Sequence, residues 1–249
     1  MPLLNNDEMV STSIGGSNYN FSGARIDSLG ATEYTLVTLV CDVSGSVSGY
    51  RDDLEKTLGV VVEACRKSPR ADNLLLRVVL FNTSVHELHG FKPLQTCNMQ
   101  DYTGQVQPSG CTSLRDATYN SVEASNIYAK SLVMQDFDVN GLVVVLTDGQ
   151  DNTSTFNTSK CREALDNCTQ QEYMESMVSI LVGVGAGSKG NALDTYLTSF
   201  KDEVGFTQYV SLEDADSKTM ARLANFISKS ISSQSQALGT GGPSQSLSF

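Results

Sequence analysis

The sequence has few basic residues and no long apolar run, and both features limit what the protein can bind. Its 17 Lys and Arg residues are outnumbered by 28 Asp and Glu residues, which gives a formal net charge of −11. A chain this acidic has no general attraction for nucleic acid or an anionic membrane, and no Lys/Arg cluster offsets the imbalance. No apolar run approaches the roughly 20 residues of a membrane-spanning helix. We therefore expect neither nucleic acid nor membrane among the partners.

Paired cysteines and a secretory signal are also missing. None of the six cysteines is in a C-x-x-C pair, which argues against zinc ribbons and thioredoxin-type chemistry. The first residues, MPLLNNDEMV, have no basic segment followed by an apolar core, so we expect no signal peptide there. Cys41 and Cys65 fall at apolar positions and fit as small buried residues. Together these features predict a reducing, cytoplasmic location.

The hydrophobic pattern alternates between two kinds of segment. Short uncharged runs rich in β-branched residues predict strands, and longer segments with apolar residues three or four apart predict helices. The predicted strands are 34–41, 74–82, 84–91, 140–148, 177–185 and 205–210, and the predicted helices are 51–67, 113–130, 158–172, 190–200 and 213–232. The short link after 74–82 makes 84–91 an antiparallel neighbour. The pattern predicts an α/β fold, Rossmann-like and doubly wound, with a mainly parallel sheet, one antiparallel edge strand and helices on both faces.

The two ends of the chain differ in composition from this alternating region. Residues 1–32 are polar and rich in Ser, Asn and Gly, and they predict an N-terminal extension, with at most a short hairpin. Residues 33–232 predict a single domain, which suits the length of the chain. Residues 233–249, SQSQALGTGGPSQSLSF, are of low complexity and predict a flexible tail.

The first strand runs into the segment VCDVSGSVSG, which places Asp42 beside Ser44 and Ser46. A nucleophile, a helix cap and a metal site are the three candidate roles for an acid and hydroxyls at a strand end. Two later segments bear on the choice: SGCTSL contains Gly110 and Thr112, and VVVLTDGQDN contains Asp148 and Gly149. Ligand sites of doubly wound sheets lie beyond the carboxyl ends of the strands. Three loops at that edge each offer short oxygen-bearing side chains, which chance placement of turn and cap residues explains poorly.

This set of motifs resembles the von Willebrand factor type A domain and its metal-ion-dependent adhesion site. The resemblance runs from about Tyr34 to Ile231 and includes ILVGVGAG and the final segment FTQYVSLEDADSKTMARLANFISKSI. It implies hydroxyl ligands from Ser44, Ser46 and Thr112, with Asp42 and Asp148 bound directly or through water. It also implies that an Asp or Glu carboxylate of a protein partner completes the metal shell.

The donor types agree with this resemblance. A hard divalent cation such as Mg²⁺, or Mn²⁺, prefers oxygen ligands and keeps several waters. Two carboxylates balance the cation's charge and the hydroxyls are neutral, so the cation keeps enough electrophilicity to accept a further carboxylate. Around the site, Asp151 fits as a support for the T-D-G loop and Asp116 as an acceptor behind the ligands, with Gly110 and Gly149 beside them. Capping of helices and turns explains Asp116 and Asp151 equally well.

Competing chemistry finds less support in the sequence. GSVSG has Val47 where a nucleophile elbow needs Ser. The histidines, His86 and His89, lie on the predicted antiparallel hairpin, where we expect them to face solvent. GAGSKG (185–190) matches a dinucleotide-binding G-x-G-x-x-G, but one strand–helix unit follows it, so we interpret it as a turn.

We therefore predict a metal-dependent protein-binding adaptor and not an enzyme. The chain resembles small intracellular members of the family from bacteria and phages, which work beside AAA+ ATPases of the MoxR type or in tellurite-resistance-type systems. The alternative is a structural subunit of a larger assembly, with a permanently occupied or vestigial metal site. A hydrolase that uses the metal to activate water ranks last, because the site has no general base besides its carboxylates.

Overall fold

The protein is described by a computed structural model over residues 9–171, 173–187, 191–242, 244 and 247–249. The strands within this part of the chain are β1 Met9–Ser13, β2 Asn20–Ala24, β3 Glu33–Asp42, β4 Leu74–Phe81, β5 Val85–Pro93, β6 Asp138–Thr147, β7 Met177–Gly183 and β8 Gln208–Ser211. The α-helices are α1 Arg51–Arg66, α2 Leu114–Val133, α3 Thr158–Gln170, α4 Ala192–Val204 and α5 Ser217–Thr240. None of the helices described has the length and hydropathy needed to cross a bilayer.

The strands form one sheet in the order β1-β2-β5-β4-β3-β6-β7-β8. Strand β3 pairs in parallel with β4 and β6, β7 pairs in parallel with β6, and β8 with β7. Strand β5 runs antiparallel to β4, as its short connection predicts. The predicted α/β class, with a doubly wound and mainly parallel sheet, is confirmed.

Alternate residues of the central strands supply two separate cores. In β3, Val37 and Leu39 pack in the core that contains the apolar residues of α1 and α5. Leu36 and Val40 point to the opposite face, where the core contains residues of α2, α3 and α4. Successive side chains of a strand point to opposite faces, so a strand buried on both faces must be apolar at nearly every position.

The sheet continues past β5 through a hairpin formed by β1 and β2. Strand β1 is antiparallel to β2, and Gly23 of β2 pairs with Phe91 of β5. Phe21 is 2% exposed, and its ring lies edge-on to the rings of Phe91 and Tyr128. The segment 1–32 therefore contains a hairpin that belongs to the sheet, although residues 1–8 lie outside the described residues. The domain boundary at residue 32 stays a prediction.

Helix α5 runs to Thr240, eight residues beyond the end predicted for it at 232. Gln234 and Ser235 of this added part are buried. The Gln234 side-chain amide donates to the Gly141 carbonyl (3.2 Å) and Ser176 Oγ (2.8 Å), while Arg70 Nε donates to Ser235 Oγ (2.9 Å). The added part of the helix is therefore held by polar contacts, which hydropathy does not register, together with the buried Ala237 and Leu238. Of the predicted tail, residues 243, 245 and 246 lie outside the described residues.

The strand order places one crevice at the edge of the sheet. The chain passes from β3 to β4 on one side and later returns to β6 on the other side of β3. Ligands of doubly wound sheets bind where the strand order reverses, beyond the carboxyl ends of the strands. Here that position lies at the ends of β3 and β6, at Asp42 and Thr147.

Candidate metal site

Asp42 is the last residue of β3 and is 2% exposed. Its Oδ1 accepts a hydrogen bond from the Ser44 backbone N–H (2.8 Å), and its Oδ2 accepts one from Thr147 Oγ1 at the end of β6 (2.6 Å). Burial, with a smaller contribution from the nearby charge of Asp148, raises the pKa of the Asp42 carboxyl to about 6 against the lowering effect of these hydrogen bonds. The carboxylate is thus held in place by neutral donors, in surroundings that favour a positive charge beside it.

Ser44, Ser46 and Asp148 form a chain of oxygen atoms next to Asp42. Ser44 Oγ lies 3.1 Å from Ser46 Oγ, and Ser46 Oγ donates to Asp148 Oδ1 at 2.7 Å. Neighbouring ligands of an octahedral Mg²⁺ shell, about 2.1 Å from the metal, lie about 3.0 Å apart. The observed separations are close to this value. Ser44 is buried and Ser46 is exposed, so the oxygen chain runs from the protein interior to solvent.

Thr112 approaches from the loop that precedes α2. A Cβ atom added to Gly149 would lie 3.1 Å from Thr112 Oγ1, so the hydroxyl lies against the T-D-G segment. The Thr112 N–H donates to Asn152 Oδ1 (2.9 Å), and the Asn152 N–H donates to the Thr112 carbonyl (3.0 Å). These two hydrogen bonds fix Thr112 against the loop of residues 148–157, which we call the third loop.

Gly110 joins the loop that precedes α2 to the D-x-S-x-S segment. Its carbonyl accepts a hydrogen bond from the Gly45 N–H at 3.3 Å. Its φ is +73°, and a Cβ atom here would lie 2.5 Å from Thr83 Oγ1. Both observations explain why glycine occupies this position.

Asp151 and Asp116 bind protein groups around the third loop. Asp151 accepts hydrogen bonds from the Arg115 backbone N–H (2.8 Å) and guanidinium (2.7 Å), and also from Ser154 Oγ. Burial raises the pKa of Asp151, but the Arg115 and Ser154 hydrogen bonds outweigh it and hold that pKa below its usual value. Asp116 accepts from the backbone N–H groups of Thr155 (3.0 Å) and Phe156 (2.9 Å). Both carboxylates therefore hold the third loop against the start of α2.

The donor set as a whole fits a hard divalent cation. Within the residues described, neither Asp42 nor Asp148 forms a salt bridge with a basic side chain. Burial, followed by the Asp148 charge, raises the pKa of Tyr50, which keeps that phenol neutral beside the site. The described chain contains no group of three or more His, Cys, Asp or Glu side chains placed to hold a metal. Hydroxyl oxygens would therefore supply the remaining ligands, as Mg²⁺ and Mn²⁺ accept.

The two histidines lie in different surroundings. His86 is exposed and its Nε2 lies 2.8 Å from Ser84 Oγ. The expectation that His89 faces solvent is wrong: its Nε2 lies 3.0 Å from Tyr102 Oη, and Tyr102 is fully buried. Burial, with the Lys92 charge, lowers the pKa of His89 to about 3. This imidazole therefore stays neutral and bonded to Tyr102 at physiological pH.

Three residues that contact the site or its supports were given no role from the sequence. Thr147 is the first residue of the T-D-G motif and Asn152 follows the motif's glycine by three residues, so their position beside the predicted ligands was a signal that went unused. Tyr19 donates to Asp116 Oδ2 at 2.9 Å from a position 97 residues away along the chain. No local pattern in the sequence indicates that contact.

Comparison with known proteins gives no match to a family model and none to a curated protein. Solved structures do match. The PilB minor pilin from Streptococcus sanguinis superposes with a TM-score of 0.60 at 16% identity, covering 93% of this chain and 68% of that one. The VWA2 paralog of ArnB from Sulfolobus acidocaldarius gives a TM-score of 0.50 at 12% identity, covering 85% of this chain and 48% of that one. The fold is that of the von Willebrand factor type A domain.

A third solved structure also matches. It is proximal thread matrix protein 1 from the mussel byssus with a zinc-occupied MIDAS motif, which matches with a TM-score of 0.50 at 17% identity. The match covers 80% of this chain and 46% of that protein. The present chain therefore spans about two thirds of the PilB structure and less than half of the other two. At these identities the similarity concerns the fold.

Proposed function

We propose that this type A domain is a metal-dependent protein-binding module without catalytic activity. Asp42, Ser44, Ser46, Thr112 and Asp148 would hold Mg²⁺ or Mn²⁺, directly or through water. The cation, when bound, supplies a Lewis-acidic position that accepts an Asp or Glu carboxylate of a partner protein. Ser46 and Asp148 lie on the solvent side of the set, which leaves that position accessible to a partner.

One observation carries this proposal. Asp42 is 2% exposed and accepts a hydrogen bond from the Ser44 N–H, and the Ser44 and Ser46 hydroxyls lead from there to Asp148. No basic side chain of the described residues forms a salt bridge with either carboxylate. A buried carboxylate without a counter-charge, such as Asp42, is costly, and paired groups or metal ions are the usual compensation. A bound divalent cation supplies that compensation.

Calorimetric titration with MnCl₂ and MgCl₂ tests the metal site. Asp42→Asn keeps the size of the side chain and removes one charge, so we expect cation binding to be lost. Asp138→Asn is the matched control, since Asp138 is exposed at the opposite end of β6. Equal binding by wild type and Asp42→Asn would reject the assigned ligands, and no binding by wild type would reject the metal site.

Capture of partners from the native host tests the adaptor role. The wild-type protein should retain a partner in Mg²⁺ and lose it in EDTA, and Asp42→Asn should fail to retain it in either. A partner retained equally in all conditions would favour the alternative of a structural subunit, whose interface lies elsewhere. Association with an AAA+ ATPase of the MoxR type is our specific expectation for the partner system.

A cytoplasmic location is also part of the proposal. All six cysteines are free thiols and five of them are buried, which a reducing compartment permits. Fractionation of the native host, followed by detection of the protein with an antibody, tests it. Recovery in the extracellular or cell-surface fraction would contradict this location.

A further inference from the structure

Asp116 connects the N-terminal hairpin to the third loop. It is 3% exposed, and its Oδ2 accepts hydrogen bonds from Tyr19 Oη (2.9 Å) and Thr155 Oγ1 (3.1 Å). Its Oδ1 accepts from the backbone N–H groups of Thr155 and Phe156. None of the described basic side chains forms an ion pair with it. Tyr19 is thus one of four neutral donors that hold this buried carboxylate in one orientation.

The third loop carries this positioning to the proposed ligands. Asp148 is the first residue of this loop. Asn152, in its middle, forms hydrogen bonds with both the backbone N–H and the carbonyl of Thr112. Thr155 and Phe156, which bind Asp116, lie at its far end. Two of the five proposed ligands therefore depend on the conformation of a ten-residue loop that Asp116 fixes at one end.

The hairpin that carries Tyr19 is itself firmly held. Tyr19 immediately precedes β2, in which Phe21 packs against Phe91 and Tyr128. Tyr128 Oη also donates to the Ala24 carbonyl at the end of β2 (2.8 Å). A side chain supported in this way keeps a fixed position, as a group that orients another group must.

We propose that Tyr19 is a positioning residue for the metal site, acting through Asp116 on the third loop. The hairpin of β1 and β2 then contributes to the geometry of the metal site, in addition to extending the sheet. This inference rests on the proposed function, because it takes Thr112 and Asp148 as metal ligands. It adds a residue that does not touch the cation, and a segment that lies outside the motifs from which the metal site was inferred.

Tyr19→Phe removes the one hydroxyl and keeps the ring. The matched control is Tyr119→Phe. The Tyr119 hydroxyl also contacts the hairpin, by a hydrogen bond to the Gly15 carbonyl (3.4 Å), and the Tyr119 ring also packs on Phe156. The Tyr119 hydroxyl, however, does not bond to Asp116. In metal-free protein we expect Tyr19→Phe to speed hydrogen exchange of the Thr155 and Phe156 amides about tenfold, as expected for loss of one hydrogen bond to a carboxylate. We expect the dissociation constant for Mn²⁺ to rise about threefold. Tyr119→Phe should leave both quantities at the wild-type value.

The two readouts separate this inference from the proposed function. If wild type binds no Mn²⁺, the proposed function fails, while exchange in metal-free protein still reports whether Tyr19 holds the loop. If Tyr19→Phe changes neither exchange nor Mn²⁺ affinity, or if both variants change them equally, the inference is overturned. In an Asp116→Asn background, the effect of Tyr19→Phe on exchange should shrink. An undiminished effect there would also overturn it, because Tyr19 would then act by another route.

Discussion

Asp42 combines a structural cost with a proposed binding role in one side chain. Its carboxyl is buried at the end of a central strand, and burial raises its pKa from 3.8 to about 6. Between these two values the folded protein holds a proton that the unfolded chain releases. The contribution of Asp42 to the stability of the metal-free protein should therefore fall as the pH rises from about 4 to about 6, and stay low above it.

Asp42→Asn should stabilise the metal-free protein, because it removes the buried charge. A pKa of about 6 in place of 3.8 corresponds to at most about 3 kcal/mol, and we expect a gain of about 1–3 kcal/mol at pH 7.5. The gain should vanish near pH 4, where wild-type Asp42 is protonated. Urea unfolding in EDTA at the two pH values measures it. A loss of stability at pH 7.5 would mean that the Thr147 and Ser44 hydrogen bonds outweigh the charge.

Gly110→Ala should weaken both the fold and the site. The substitution forces a Cβ atom to 2.5 Å from Thr83 Oγ1 at a φ of +73°, and it displaces the carbonyl that binds Gly45. We expect a loss of about 2 kcal/mol in unfolding free energy and weaker Mn²⁺ binding. Gly104→Ala is the control, since Gly104 has a φ of +76° with open space around it. Equal losses in the two variants would assign the effect to backbone strain alone.

Among the helices and strands, those that the sequence predicts well are buried elements with an apolar composition. The interiors of strands β3, β4, β6 and β7 are mostly apolar, with Arg77 of β4 as the charged exception, and the sequence predicts each strand to within about two residues. The hairpin of β1 and β2 is short and polar, and it is held by contacts with Phe91 and Tyr128 that a local pattern does not contain. The predicted end of α5 was wrong for a related reason. Gln234 and Ser235 are polar but buried, and residues distant in the sequence form hydrogen bonds with them.

Glu87 should be essential for holding the hairpin to the sheet. Arg77 of β4 is fully buried, and its Nε donates to Glu87 Oε2 at 2.6 Å. The other oxygen, Oε1, accepts from the Ser22 N–H in β2 at 2.9 Å. Glu87→Ala leaves the guanidinium buried without its counter-charge, so we expect unfolding free energy to fall by about 3–5 kcal/mol.

A double variant separates the charge from the packing in that contact. Arg77→Met with Glu87→Leu removes both charges, and it should lose less stability than Glu87→Ala alone. Ser22→Ala removes one donor to Glu87 and should cost about 1 kcal/mol. A cost below 1 kcal/mol for Glu87→Ala in urea unfolding would show that water reaches Arg77 and that the ion pair does not hold the hairpin.

For the whole molecule, parallel topology explains why the site was more predictable than its surroundings. The carboxyl ends of β3 and β6 must lie at one edge, so residues 106 positions apart, Asp42 and Asp148, could be brought together from strand assignments alone. The residues that hold the ligands in place are not positioned by strand topology. Asn152 binds Thr112 and Tyr19 binds Asp116 because of loop and hairpin conformations, which depend on packing throughout the molecule.

The net charge of −11 should itself contribute to cation binding. An acidic surface raises the local concentration of divalent cations, and salt screens this long-range attraction over about 10 Å at 0.1 M. We therefore expect the dissociation constant for Mn²⁺ to rise about threefold to tenfold between 20 and 300 mM NaCl, measured by calorimetry at pH 7.5. Asp138→Asn, which removes one distant charge, should lower affinity slightly at 20 mM and not at 300 mM. An affinity independent of salt would mean that the ligands alone determine it, and that the acidic surface acts only on the partner.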